Sequence, residues 1–341
     1  MSTQLRQLIE VDAEKCVNCH RCIAVCPVKM ANDGSGDHVS LRHDLCIGCG
    51  RCIAACTHDA RRGIDDAPKF FADVAAGKDI VAIVAPAVAA EFPGQYLRLN
   101  GWLKSLGVRA VFDVSFGAEL TVRSYLEYIQ KKKPARVIAQ PCPALVSFIE
   151  MYRPELIPQL APADSPMIHT IKMIREFYPD YANSACVVLS PCYVKRREFD
   201  AVGLGDYNLT FNSVQAYLKE HGIRLEDSPE ADFDNPPAER AVLFSSPGGL
   251  MRTVERYLPN FSEQTRKIEG HPAVIHYLAN LTEADEQTGG PAHMLVDCLS
   301  CELGCNGGPG TSNADAHPDV IEMAVEKRSR EMRQRYGMAG N

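Results

Sequence analysis

The chain has 341 residues, 46% hydrophobic and 23% charged, with 36 basic side chains against 43 acidic and a formal net charge of −7. At roughly 150 residues per domain this is room for about two or three folded units, and the composition excludes a mainly disordered chain. The acidic balance argues against a general nucleic-acid binder, no apolar run reaches the ~18 residues of a membrane helix, and Met1 to Val11 has no apolar core of the signal-peptide kind, so a cytoplasmic protein is expected.

The 14 cysteines are clustered: eight lie between Cys16 and Cys56, and three between Cys298 and Cys305. In a reducing compartment such clusters are metal or redox sites far more often than disulfides. Residues 16–27 read CVNCHRCIAVCP, a C-x2-C-x2-C-x3-C-P run, and residues 46–57, CIGCGRCIAACT, repeat it. In two-cluster ferredoxins each run gives three thiolates to one iron–sulfur cubane and its fourth to the other. One [4Fe-4S] cluster is therefore expected on Cys16, Cys19, Cys22 and Cys56, and a second on Cys46, Cys49, Cys52 and Cys26. Zinc sites favour two C-x2-C pairs with a longer gap and fit these runs poorly. Thr57 stands where the repeat would place Pro, and His20, beside Cys19, reads as a surface residue rather than a ligand. Two adjacent clusters carry single electrons and do no bond chemistry alone. This module is taken as residues 1–66, followed by a linker over 67–78.

From residue 79 to 315 short apolar runs alternate with amphipathic stretches. Strands are expected at Asp79–Ala85, Ala110–Phe116, Ala135–Gln140, Ala185–Ser190, Tyr207–Phe211 and His293–Asp297, with the near-continuous hydrophobicity of buried parallel strands. Helices are expected at Ala89–Gly107, Glu119–Lys131, Leu145–Leu160, Pro166–Tyr178, Ser213–Gly222 and Leu250–Leu258, with Ser213 as an N-cap. Strand–helix alternation indicates α/β layers with mostly parallel sheets. Ser228–Glu239, acidic and Pro-rich, reads as a surface excursion. Residues 316–341 hold a charged C-terminal helix, Val320–Tyr336, whose Lys327, Arg328, Arg330, Arg333 and Arg335 form a solvated face or dock an acidic carrier.

Ligands gather outside the carboxyl ends of parallel strands. Three cysteine loops fall at such ends: around Cys142, around Cys192, and from Cys298 through Cys301 to Cys305. They would converge on one buried site, with Gly304, Gly307 and Gly308 letting the backbone come close. Cys186, inside an apolar strand, and the single Trp102 read as core.

The order of a ferredoxin pair, a P-C-P loop (Pro141-Cys142-Pro143), P-C-x2-K-x2-E (Pro191 to Glu198) and C-x3-C-x-G-G (Cys301 to Gly308) resembles the [FeFe]-hydrogenase large subunit from about residue 10 to 337. Supporting stretches are Ala85-Pro86-Ala87-Val88, Val111 to Thr121, Tyr152 to Pro158 and Asp164-Ser165-Pro166. The resemblance implies a two-lobed α/β catalytic domain after the ferredoxin-like α+β module. Between the lobes it implies a [4Fe-4S] cubane joined through one Cys to a two-iron unit bearing CO and cyanide. By position, Cys142, Cys192 and Cys301 would hold the cubane and Cys305 would bridge. Lys195 would donate to a cyanide, with Glu198 as its partner, and Ser165 matches a proton-relay serine. An ammonium suits an anionic cluster.

The departures concern proton delivery. Pro141 stands where the family carries a free Cys, and Tyr125 and Tyr128 stand where it has glutamates, with Glu127 one residue off. Ser190 replaces a methionine. Cys298 is an additional thiol: either it takes part in the ligand set, so that five thiolates hold a plain cubane, or it lies nearby as a non-ligand. General acid–base help is worth ~10²–10⁴-fold, so the closest resemblance is to atypical, sensory-type branches. The readings weighed are a slow hydrogenase, an H2 or redox sensor on the same fold, and a non-H2 iron–sulfur electron-transfer or cluster-assembly protein. An external one-electron carrier and hydrogenase maturation proteins are the partners expected.

Overall fold

The computed structural model describes residues 5–313 and 315–338. In the N-terminal module β1 (Ile9–Val11) pairs antiparallel with β4 (Arg61–Gly63), and β2 (Asn32–Asp33) pairs with β3 (Ser40–Leu41). Each cysteine run continues into one helical turn, Arg21–Ala24 or Arg51–Ala54. The residue before each turn is left-handed, His20 at φ 62° and Gly50 at φ 76°. Glycine takes that conformation without strain, and a Cβ on Gly50 would strike Pro309 of the main domain.

Among the described residues seven strands follow: β5 (Ile80–Val84), β6 (Val111–Asp113), β7 (Val137–Ile138), β8 (Ala185–Ser190), β9 (Tyr207–Thr210), β10 (Thr265–Glu269) and β11 (Leu295–Leu299). They form two parallel sheets, in the orders β6-β5-β8-β9 and β10-β11-β7. Every residue of β5 and β11 is buried, as strands covered on both faces must be. Cys186 and Trp102 lie in the core of the larger sheet, as expected. The ferredoxin-type module and the parallel α/β sheets are the architecture that the sequence implies. No helix among the described residues is long and apolar enough to cross a membrane.

Several boundaries move for local reasons. The strand expected over Ala110–Phe116 stops at Asp113, whose carboxylate accepts from Ser115 N at 2.8 Å and so caps the helix Val114–Lys132. The helix expected over Ala89–Gly107 is two, Val88–Glu91 and Tyr96–Ser105, interrupted at Pro93 and Gly94. Thr210, rather than Ser213, caps Phe211–Glu220. Ala67–Ala75, in the expected linker, is a helix that buries Phe70 in the main core. The final strand runs two residues beyond expectation, because β10 pairs Ile268 with Cys298 and Glu269 with Leu299. That partner strand goes unseen in the sequence: its exposed Arg266 and Lys267 hide the apolar signal.

The C-terminal helix spans Pro318–Met338. Its Arg328 is not on a solvated face: it is 1% exposed and donates to Asp113 Oδ2 at 2.6 Å and to the Pro86 carbonyl at 3.3 Å. This ties the helix to the ends of β5 and β6.

Candidate functional site: cysteine-lined cavities

Parallel strands bring the carboxyl ends of β5, β7, β8 and β11 together. The loops that follow them line one cavity of about 770 Å³, which includes Cys142, Cys192, Cys301, Cys305 and Lys195. The rest of its wall is largely apolar, with Pro86, Pro141, Met167, Pro191, Phe244 and Pro309 among it. A Cβ on Gly304 would strike the Ser245 carbonyl, and one on Gly308 the Pro191 carbonyl, so the bare backbone lets the Cys305 loop seat here. Ser190 anchors the facing loop: its hydroxyl donates to Asn208 Oδ1 at 2.6 Å and accepts from Cys192 N at 3.4 Å.

Two smaller cavities lie in the N-terminal module. One, of about 310 Å³, is lined by Cys16, Cys19, Cys22 and Cys56. The other, of about 300 Å³, is lined by Cys26, Cys46, Cys49 and Cys52. Each contains one of the two sets grouped by the cysteine spacing. Cys49 also borders the main cavity, and Cys19 is exposed. Backbone N–H groups point at two of the sulfurs, Val39 N at Cys16 Sγ (3.4 Å) and Gly48 N at Cys46 Sγ (3.3 Å).

The chemistry of these walls fits iron–sulfur clusters. Among the described residues no group of three or more His, Cys, Asp or Glu could grip a single ion, but a cubane takes each thiolate on a different iron and needs them spread apart. Burial pushes the Cys192 and Cys305 thiols up to about 12 and Cys52 up to about 11, and raises Cys49 and Cys301 as well. Such thiols stay protonated unless a metal cation takes the thiolate. Among the described residues four buried side-chain nitrogens also lack a partner: Arg61 Nη1, Arg197 Nε, His271 Nδ1 and, away from these cavities, Arg328 Nε. Arg61 lines the Cys16 cavity, while Arg197 donates to the Cys46 and His43 carbonyls.

Lys195 is 7% exposed and donates to Glu198 Oε2 at 2.7 Å and to the Pro141 carbonyl at 2.9 Å. Glu198 itself is not on the cavity wall. Ser165 is buried, and its hydroxyl caps Pro166–Phe177 by accepting from Ile168 N at 3.4 Å. Cys298 does not line the main cavity. It is fully buried within β11, and its thiol faces the Ala139 carbonyl at 3.6 Å. Tyr125 is buried, accepts from Gln140 N at 3.1 Å, and has its phenol pushed further up by burial, so it is a weak proton carrier. Glu127 is exposed and paired with Lys131. Sequence reasoning missed Arg61, Arg197 and Asn208, since nothing in a polar stretch marks which side chain turns inward.

The comparisons with known proteins agree with this geometry. The family described as iron-only hydrogenase large subunit, C-terminal domain, matches residues 78–309, and a 4Fe-4S dicluster domain matches residues 8–57. Iron hydrogenase 1 of Clostridium pasteurianum is 25% identical over 66% of this chain and 47% of its own length. The nuclear prelamin A recognition factor of Mus musculus is also 25% identical, over 65% of this chain and 59% of its own. The cytosolic Fe-S cluster assembly factor NAR1 of Encephalitozoon cuniculi is 22% identical over 66% of this chain and 65% of its own. The chain thus spans about half to two thirds of these relatives. The [FeFe]-hydrogenase HydA1 of Chlamydomonas reinhardtii shares the fold at a TM-score of 0.57, with 19% identity over 77% of this chain and 88% of its own. With most of the chain matched by one family and the dicluster module ahead of it, the chain belongs to the iron-only hydrogenase large-subunit family.

Proposed function

We propose that the chain is an iron–sulfur oxidoreductase that interconverts H2 with protons and electrons, slowly. One [4Fe-4S] cluster belongs to Cys16, Cys19, Cys22 and Cys56, and a second to Cys26, Cys46, Cys49 and Cys52. Cys142, Cys192, Cys301 and Cys305 would hold a third cubane joined to a two-iron unit. The observation that carries this reading is a ratio of volumes. The main cavity has about 770 Å³, part of it open to solvent, and five thiols on its wall, against about 300 and 310 Å³ and four thiols in each module site. When bound, the larger cofactor supplies the reaction H2 ⇌ 2 H⁺ + 2 e⁻, and the module's clusters supply one-electron storage.

The chain's own groups set binding and proton supply. The ammonium of Lys195 has three donors, and Glu198 and the Pro141 carbonyl occupy two. The third is free for an anionic ligand in the cavity it lines. Among the described residues no Asp, Glu or His lines that cavity. Pro141 carries no proton, and Ser165, whose hydroxyl oxygen accepts from Ile168 N, is not among the residues lining the cavity. Proton supply is the weak part of the site, which accounts for slow turnover. Cys49, bordering both the second module site and the main cavity, and the exposed Cys19 set an electron route to the surface, where an external one-electron carrier would dock.

The same proton-poor wall favours a second reading, a non-H2 iron–sulfur protein like the relatives named for cluster assembly. The two separate in an assay of protein co-expressed with hydrogenase maturation proteins. Slow H2 evolution from a reduced viologen, lost in Cys305→Ala, is the expected result. No H2 from protein with full iron would move the chain to the second reading.

A further inference from the structure

Apart from its thiols and Lys195, the main cavity has two side chains on its wall that can carry a proton among the described residues, the hydroxyls of Ser245 and Ser300. Ser245 Oγ has no hydrogen-bond partner, so it leads no further. Ser300 Oγ lies 2.6 Å from His271 Nε2. The two meet because β10 and β11 are parallel neighbours, and His271 and Ser300 stand in the loops that follow them. Both are buried, His271 at 7% exposure and Ser300 at 2%. His271 is not on the cavity wall. It lines instead a separate cleft of about 1530 Å³, open solvent included, together with Arg51, Asn212 and Glu302. Ser300 lines both the cleft and the cavity.

The ring's other nitrogen, Nδ1, is buried without a partner. A bare buried nitrogen is costly, and calls for water or a function to explain it. Imidazole is suited to passing protons, since one ring nitrogen takes one up while the other gives one away. We propose that His271 and Ser300 form a proton relay joining the solvent-open cleft to the main cavity, by way of the β11 loop rather than the Pro141 loop. A proton from water in the cleft adds to Nδ1, the proton on Nε2 passes to the Ser300 oxygen, and the hydroxyl's own proton leaves into the cavity. One proton enters and one leaves. The pair ends neutral, with the ring hydrogen on Nδ1 and the serine donating to Nε2, and the ring returns to its first tautomer before the next transfer. H2 oxidation runs the same steps in reverse. The relay accounts for how a site with Pro141 in place of a proton carrier turns over at all.

The inference rests on the H2 reading, and the test separates the two. The protein is co-expressed with hydrogenase maturation proteins; full iron without infrared bands of iron-bound CO and cyanide ends that reading and the inference with it. Given those bands, Ser300→Ala and His271→Ala should keep the band positions and the iron, and lose about 10²-fold in H2 turnover, the scale of a proton-transfer group. The mixture of infrared states reached under H2 should also relax more slowly in both variants once H2 is removed. Two further measurements set a relay apart from a structural role. Imidazole added to His271→Ala should recover turnover, because the cleft is open to solvent. In Pro141→Cys, which supplies a carrier from another loop, the added change His271→Ala should cost little. Turnover and relaxation unchanged in variants that keep their iron would overturn the proposal. So would iron lost from both variants, or a loss of turnover that neither imidazole nor Pro141→Cys relieves.

Discussion

The N-terminal module and the main domain make cysteine sites in opposite ways. In the module each four-thiol cavity draws on two runs that repeat within forty residues, and β1 to β4 are little more than clips around them. In the main domain the four cysteines are scattered from Cys142 to Cys305, and only the parallel order of β7, β8 and β11 brings them together. The local design yields small, closely fitted cavities. The topological design yields a larger one whose walls come from loops far apart in sequence.

The largest effect should come from breaking one side of this comparison alone. Cys301→Ser should remove about 4 of about 12 cubane irons while the module's two signals persist, as measured by iron analysis with electron paramagnetic resonance. Loss from all three sites would mean that the two regions do not assemble independently. Next, Pro141→Cys restores a proton carrier at the cavity wall, and H2 turnover should rise within the ~10²–10⁴-fold range of general acid–base catalysis. No gain would show that the relay is not what limits the site. Lys195→Met removes the one cation that lines that wall among the described residues. Turnover should fall about 10²-fold, the scale for losing one aimed donor, with iron retained.

A smaller effect concerns Asp297, on β11 behind the cavity. Burial raises its carboxyl to about 6, although Met251 N donates to it at 3.0 Å. The folded state holds this proton more tightly than the unfolded chain, with its ordinary value of 3.8. Its stabilising contribution is therefore full below pH ~4 and lost as the pH climbs through about 6. Asp297→Asn should match the unmodified protein near pH 4 and gain up to about 3 kcal/mol above pH ~6, with the difference growing across urea unfolding curves from pH 5 to 7. The smallest change is expected of Cys298→Ala: unchanged iron and about 1 kcal/mol lost from packing. Iron loss there would return Cys298 to the ligand set.

The grouping of the module's cysteines into two cavities was legible, because the spacing is written locally and Cys16 to Cys56 need no long-range fold to be grouped. The main loops were legible by resemblance and by their place after apolar strands. The sequence misleads where a neighbour decides. Cys298 reads as part of a loop because Arg266 and Lys267 mask β10, the strand that prolongs β11. Ser165 also caps a helix, its hydroxyl oxygen accepting from Ile168 N, a role its place before Pro166 did not single out. Arg328 reads as a solvated charge on a helix rich in Lys and Arg, whereas Asp113, more than two hundred residues earlier, buries it. Inward-turned charges such as Arg61 leave no periodic trace.

The larger cavity is proposed to hold more than a cubane. An anaerobic infrared spectrum tests it most directly, on protein co-expressed with hydrogenase maturation proteins and carrying its full iron. Bands of iron-bound CO and cyanide that shift under H2 and vanish in Cys305→Ala are expected. A spectrum without those bands, from protein with all three cubanes in place, would contradict it.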